Sequence, residues 1–115
     1  MNSFIEIMRK TLSPIPLLAN RTAYKGGECV IYDVTTLSYD KLKRSVRVKL
    51  TIVTEKSDTR AQEIERMLDE ALVTFGDNPL TETVTSCERN SGGWMSDNDR
   101  YIRIAYYQVT IRGGN

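Results

Sequence analysis

Histidine is absent from this chain. With it go the commonest general base, the usual catalytic dyads and the commonest metal ligand. Cysteine is almost missing as well. Cys29 and Cys87 are too few for a disulfide framework and lack the CxxC spacing of a zinc or redox site, so both read as small buried strand residues of a reducing compartment. Neither sign of charge is in excess: sixteen basic residues against fifteen acidic leave +1, whereas a dedicated nucleic-acid binder carries a strong basic surplus. No apolar run approaches the roughly 18 residues of a membrane span. The opening MNSFIEIMRK lacks the basic region and apolar stretch of a signal peptide, which leaves the Asn20-Arg21-Thr22 glycosylation triplet without a secretory context.

What is present suits a soluble protein. With 40% hydrophobic and 27% charged residues over 115 positions, the chain can build one core in a single domain spanning 1–115. Its clearest segment is 58–75, DTRAQEIERMLDEALVTF. Ile64, Leu68, Ala71, Leu72 and Phe75 form one helical stripe, and Arg60, Glu63, Arg66, Asp69 and Glu70 occupy the rest of the wheel. Ser57, Asp58 and Thr59 are three possible N-caps, Thr59 and Gln62 have capping-box spacing, and Gly76 with Pro79 marks the end. A helix with one apolar stripe needs a sheet to cover.

Before it, Ser3 and Glu6 at capping-box spacing predict a short helix over about 4–12, with Phe4, Ile5, Met8 and Leu12 inward. Pro14 and Pro16 then impose an extended connector, after which Leu17, Leu18 and Ala19 could add one apolar turn. Residues 24–27 read as a turn. Segment 28–36, ECVIYDVTT, is β-branched and aromatic and predicts a strand; 38–41 follows as a loop. In 45–54, SVRVKLTIVT, Val46, Val48, Leu50 and Ile52 alternate with Arg47, Lys49 and Thr51, as in a strand with one buried and one wet face. After the long helix, 76–79 is a turn, 81–89 a Thr-rich strand, 90–99 a polar loop holding the single Trp, and 100–112 a long strand. In that last strand the apolar set passes from Ile102, Ile104 and Tyr106 to Tyr107, Val109 and Ile111. A β-bulge near Tyr106 and Tyr107 would repair such a slip. The expected fold is α+β, order α-β-β-α-β-β: a four-stranded antiparallel sheet packed by the central amphipathic helix and the short N-terminal one.

No constellation of catalytic groups assembles from these residues. Asp69 with Glu70 reads as solvated helix charge, and Asp97-Asn98-Asp99 lacks the glycine and distant glutamate of a calcium loop. Gly26-Gly27, Gly92-Gly93 and Gly113-Gly114 read as turns rather than phosphate loops. Arg44, Arg47 and Lys49, with Arg100, Arg103 and Arg112 and nearby Tyr101 and Tyr107, could form a nucleic-acid platform, but a wet sheet face whose charges discourage edge pairing accounts for them as well. Trp94-Met95 in a polar setting either tucks onto the core or anchors a partner.

The order of elements carries a resemblance. A short helix ends in a proline connector; a CVIYDV strand, a long alternating strand, an amphipathic helix closing on Leu-Val-Thr-Phe-Gly and a final strand follow. This pattern resembles the small tail-completion, or tail-terminator, proteins of long-tailed bacteriophages and related prophages. The resemblance implies a ring of copies, usually six, that caps the tail tube, stops further tube subunits from adding, and prepares the joining of tail to head. It implies a virion tail protein assembled in the bacterial host cytoplasm, with itself, the tube protein and head-tail connector proteins as partners, and no membrane, enzyme activity, cofactor or metal. The family shares no catalytic residues to carry over. Candidate contacts are the loops and exposed strand faces: Lys41, Lys43 and Arg44, and Trp94, Met95 and Arg100. The alternatives are a head-side connector or neck protein of the same kind of particle, or a small regulatory or nucleic-acid-binding module working through the Arg/Lys-Tyr strand face.

Overall fold

A computed structural model describes residues 1–19, 26–76, 78–97 and 99–112. The first helix, α1 (Asn2–Leu12), buries Phe4, Met8 and Leu12 completely, at i, i+4 and i+8 along one stripe. Its expected capping box does not form. Ser3 lies inside the helix and meets the hydroxyls of Thr81 and Thr83 at 3.3 and 3.0 Å, while Glu6 pairs with Arg9 at 3.0 Å.

The proline connector delivers Leu17 and Leu18 in extended form, so they make a short strand rather than a helical turn. This strand, β1 (Leu17–Leu18), lies parallel to β2 (Cys29–Tyr39), Leu17 opposite Val30 and Leu18 opposite Ile31, and the Val30 N–H donates to the Pro16 carbonyl at 3.0 Å. With β3 (Lys43–Thr54), β4 (Val84–Asp97) and β5 (Arg100–Arg112) the sheet has five strands in the order β1-β2-β3-β5-β4. The expectation of four antiparallel strands is corrected by this added edge and its one parallel pair.

Both helices cover the same face. Val46, Val48, Leu50 and Ile52 of β3 point into that layer as their alternation predicts, and Ala105, Tyr107, Val109 and Ile111 of β5 join them beneath the helices. The opposite face is wet only in part. Thr51 is buried, and Cys29, Ile31, Val53 and Ile102 form a second apolar cluster with Leu18 and Ile104 packed against it. Two cores on two faces explain the phase change in β5. Its pairing with β3 runs unbroken from Lys43–Arg112 to Thr54–Tyr101, and the irregularity opposite Tyr106 and Tyr107 lies in β4, around Asn90.

Helix α2 (Asp58–Leu72) starts at Ser57, whose hydroxyl accepts the Arg60 N–H at 3.0 Å; Gln62 donates to Asp58 instead of closing a box with Thr59. Ala61, Ile64, Leu68 and Leu72 are fully buried. The helix stops three residues before the sequence suggests. Val73 is extended, the Thr74 N–H donates to the Cys87 carbonyl at 3.0 Å, and the Thr74 hydroxyl accepts the Cys87 N–H at 3.0 Å. That stitching to β4 outcompetes another helical turn, and it turns Phe75 out of the stripe, leaving it 76% exposed.

The expected polar loop over 90–99 is also corrected. β4 continues through it to Asp97, with Ser91 opposite Tyr106 and Trp94 opposite Arg103. Gly92 and Gly93 therefore lie within a strand, not a turn. A long neighbour with unpaired backbone groups recruits a segment whose composition alone suggests a loop. Gly26 and Gly27 do have the positive φ of a turn, 93° and 77°; Tyr24, Lys25, Gly113 and Gly114 fall outside the described residues.

Candidate functional site

The charges on the sheet-facing flank of α2 are paired with arginines from the strands, Glu65 largely buried and Asp58 and Asp69 partly in water. Arg89 from β4 grips both oxygens of Asp69 at 2.9 and 3.0 Å and Glu65 at 2.8 Å. Arg103 from β5 reaches Asp58 at 3.1 and 3.2 Å and Glu65 at 3.2 Å. The buried Tyr107 hydroxyl donates to Asp69, and the Arg89 guanidinium lies 5.6 Å from the Tyr107 ring centre. Reading Asp69 as plain surface charge missed this, because the partners come from strands whose helix-facing residues the period alone does not fix. Burial, reinforced by the bond to Asp69, holds the Tyr107 phenol well above its ordinary range, and the Arg103 bond holds the Asp58 carboxyl below its own. Burial, with Asp69 and Glu88 nearby, pushes the Cys87 thiol up to about 12.

A second cluster pins the start of α2. The Glu28 carboxylate accepts from Arg60 at 2.8 and 3.0 Å and from the Thr54 hydroxyl at 3.0 Å, and the Arg60 bonds hold its pKa down. The open recess lined by Gln62, Glu63, Glu65, Arg66, Asp69 and Arg103 thus has most of its charge already paired. Among the described residues no three Cys, Asp or Glu side chains are grouped to hold a metal ion. Asn98 and the Asp97 side chain fall outside the described residues. No described helix is long and apolar enough to cross a membrane.

The candidate contact residues fall at opposite ends of the sheet rather than in one site. Lys41 and Lys43 are exposed at the β2–β3 hairpin. Arg44 is different: it is half-buried near the Met1 amino group, whose pKa is lowered by burial and then by Arg44 itself. Trp94 and Met95 lie near the β4–β5 hairpin, 69% and 48% exposed, and Arg100 sits opposite Asp97 in the same hairpin. Of the basic stripe, Arg44 and Arg103 face the helices, so Arg47 and Lys49 keep the open face without them; Arg47 lies 5.5 Å from the Tyr106 ring centre.

Sequence reasoning missed several exposed apolar side chains. Val34, Leu37, Tyr39 and Leu42 line the β2–β3 hairpin, Leu42 at 79% exposure, and Phe75 stands beside β4. β1 covers β2 only at Val30 and Ile31; among the described residues no strand pairs with the outer edge of β2 beyond them, and none with that of β4. The molecule therefore offers two sheet edges, each carrying apolar groups in water, the usual mark of surfaces that meet something.

No family model matches this chain, and no curated protein matches it. Among solved structures it is similar to a chain from the virion of a native gene transfer agent particle, with a TM-score of 0.65 and 12% identity over 97% of this chain and 91% of that one. At that identity the likeness is one of fold, and it runs nearly end to end.

Proposed function

We propose that this chain is a virion assembly protein of a tailed, phage-type particle, acting as a ring that caps the tail tube. The observation that carries the reading is the nearly full-length likeness to a virion chain, which reaches across almost all of both molecules rather than a shared fragment. The order of elements that resembles tail-completion proteins supports the same reading, and so do the two exposed edges, which a ring would cover. The protein works through surfaces and not through a reaction. A ring seated on the growing end of the tube occupies the face to which the next tube subunits would add, offers no equivalent face beyond it, and leaves a platform for the head. Its ring contacts are head-to-tail, closing only if the rotation between neighbours fits.

Size-exclusion chromatography with light scattering, alone and with assembled tube protein, tests this, with electron microscopy to locate the ring. Oligomers bound at tube ends are expected. A strict monomer that ignores tube ends would sink the proposal, and rings that bind the head's portal instead would move the protein to the head-side connector.

A further inference from the structure

We infer that the β2–β3 hairpin of one copy docks beside Phe75 on the β4 edge of the next copy, forming the lateral contact of the ring; this rests on the ring reading above. The exposed large apolar side chains divide between opposite edges of the sheet: Val34, Leu37, Tyr39 and Leu42 on the hairpin side, and Phe75, Trp94 and Met95 on the β4 side. A two-fold contact reuses one patch on both copies, whereas two different patches on opposite edges make a head-to-tail contact. Leu42 and Phe75 are the most exposed of the set, at 79% and 76%.

Charge and position agree with that pairing. At the hairpin tip Asp40 Oδ1 accepts from the backbone N–H groups of Leu42 and Lys43, at 2.7 and 2.8 Å, and the exposed Lys41 and Lys43 around Leu42 outnumber that one carboxylate. The recess on the other edge is lined by Asp69, Glu70, Val73, Phe75 and Arg89. Arg89 is already held by Glu65 and Asp69, which leaves the exposed Glu70 to meet a cation. One row across the sheet runs Thr36, Val46, Val109, Cys87, and Thr74 is bonded to Cys87. Phe75 therefore stands level with the base of the hairpin, on the opposite edge. Leu42 lies four residues beyond Val46, about 13 Å at roughly 3.3 Å per residue, so the step from copy to copy that brings tip and recess together runs along the strands as well as sideways.

The test uses Leu42→Asp and Phe75→Asp, each at a side chain outside the core, with folding checked by circular dichroism. Light scattering after size exclusion should show each variant monomeric at concentrations about tenfold above those at which the native chain assembles. Mixed in equal amounts, they should give a one-to-one dimer and nothing larger, since only one intact hairpin and one intact recess remain per pair. Native oligomers that neither variant disturbs, or a mixture that yields only monomers or restored rings, overturn the docking while leaving the ring itself standing. A native chain that is monomeric at every concentration removes the ring reading as well.

Discussion

A methyl group at position 92 has nowhere to go. A Cβ there would lie 2.5 Å from the Ile104 carbonyl oxygen and 2.5 Å from Arg89 Nη2, and Arg89 cannot swing aside without releasing Glu65 and Asp69. At Gly93 nothing lies within 4 Å. Gly92→Ala should therefore cost about 1–3 kcal/mol, and Gly93→Ala roughly 0.5 kcal/mol or less, in urea titrations of the two variants. Equal costs would mean that the Arg89 network does not rest on this approach. Tyr107 gives a second check. Tyr107→Phe keeps the buried ring but removes its bond to the Asp69 carboxylate, for an expected loss of about 1.5–3 kcal/mol, the range for a hydrogen bond to a charged group.

Among the elements, α2 is scaffold. Leu68 is fully buried against the sheet, so Leu68→Asp places an unpaired charge in the core and should abolish the thermal transition seen by circular dichroism; a cooperative melt would show the core to be misassigned. This helix was the most legible part of the chain, together with β3 and the span of β5, because long one-sided periodicity is written directly into the residues. The hidden parts depended on partners. Leu17 and Leu18 became a strand because Pro16 and Val30 met, Phe75 left the helix because Thr74 found Cys87, and residues 90–97 became a strand because β5 offered backbone groups to pair. Of the candidate contacts, Trp94 and Met95 stood out as apolar groups in a polar stretch, and both are exposed. Val34, Leu37 and Tyr39 gave no such signal, since an apolar side chain in a strand looks the same whether it faces a core or water, and Leu42 lies in the short turn between two strands.

For the whole molecule, the acid limit follows from the carboxylates that tie α2 to the sheet. Glu28 and Asp58 both have folded-state pKa values below their unfolded ones, so the unfolded chain takes up their protons first. Their contribution is present above the unfolded pKa and is lost as pH falls through the folded value. The urea midpoint should accordingly decline from about pH 4.5 downward, and Glu28→Gln with Asp58→Asn should flatten that decline while lowering stability at neutral pH. An unchanged slope would mean that other groups set the acid limit. The strand order has a consequence for how the protein is made. β5 comes after β3 and β4 in the sequence yet lies between them in the sheet. At a translation rate of about 5–20 residues per second, β3 waits several seconds for the strand that must join it, its backbone groups open to other nascent chains on the same messenger RNA. Soluble yield should thus respond more to translation speed and chaperone supply than to the melting temperature of the finished fold.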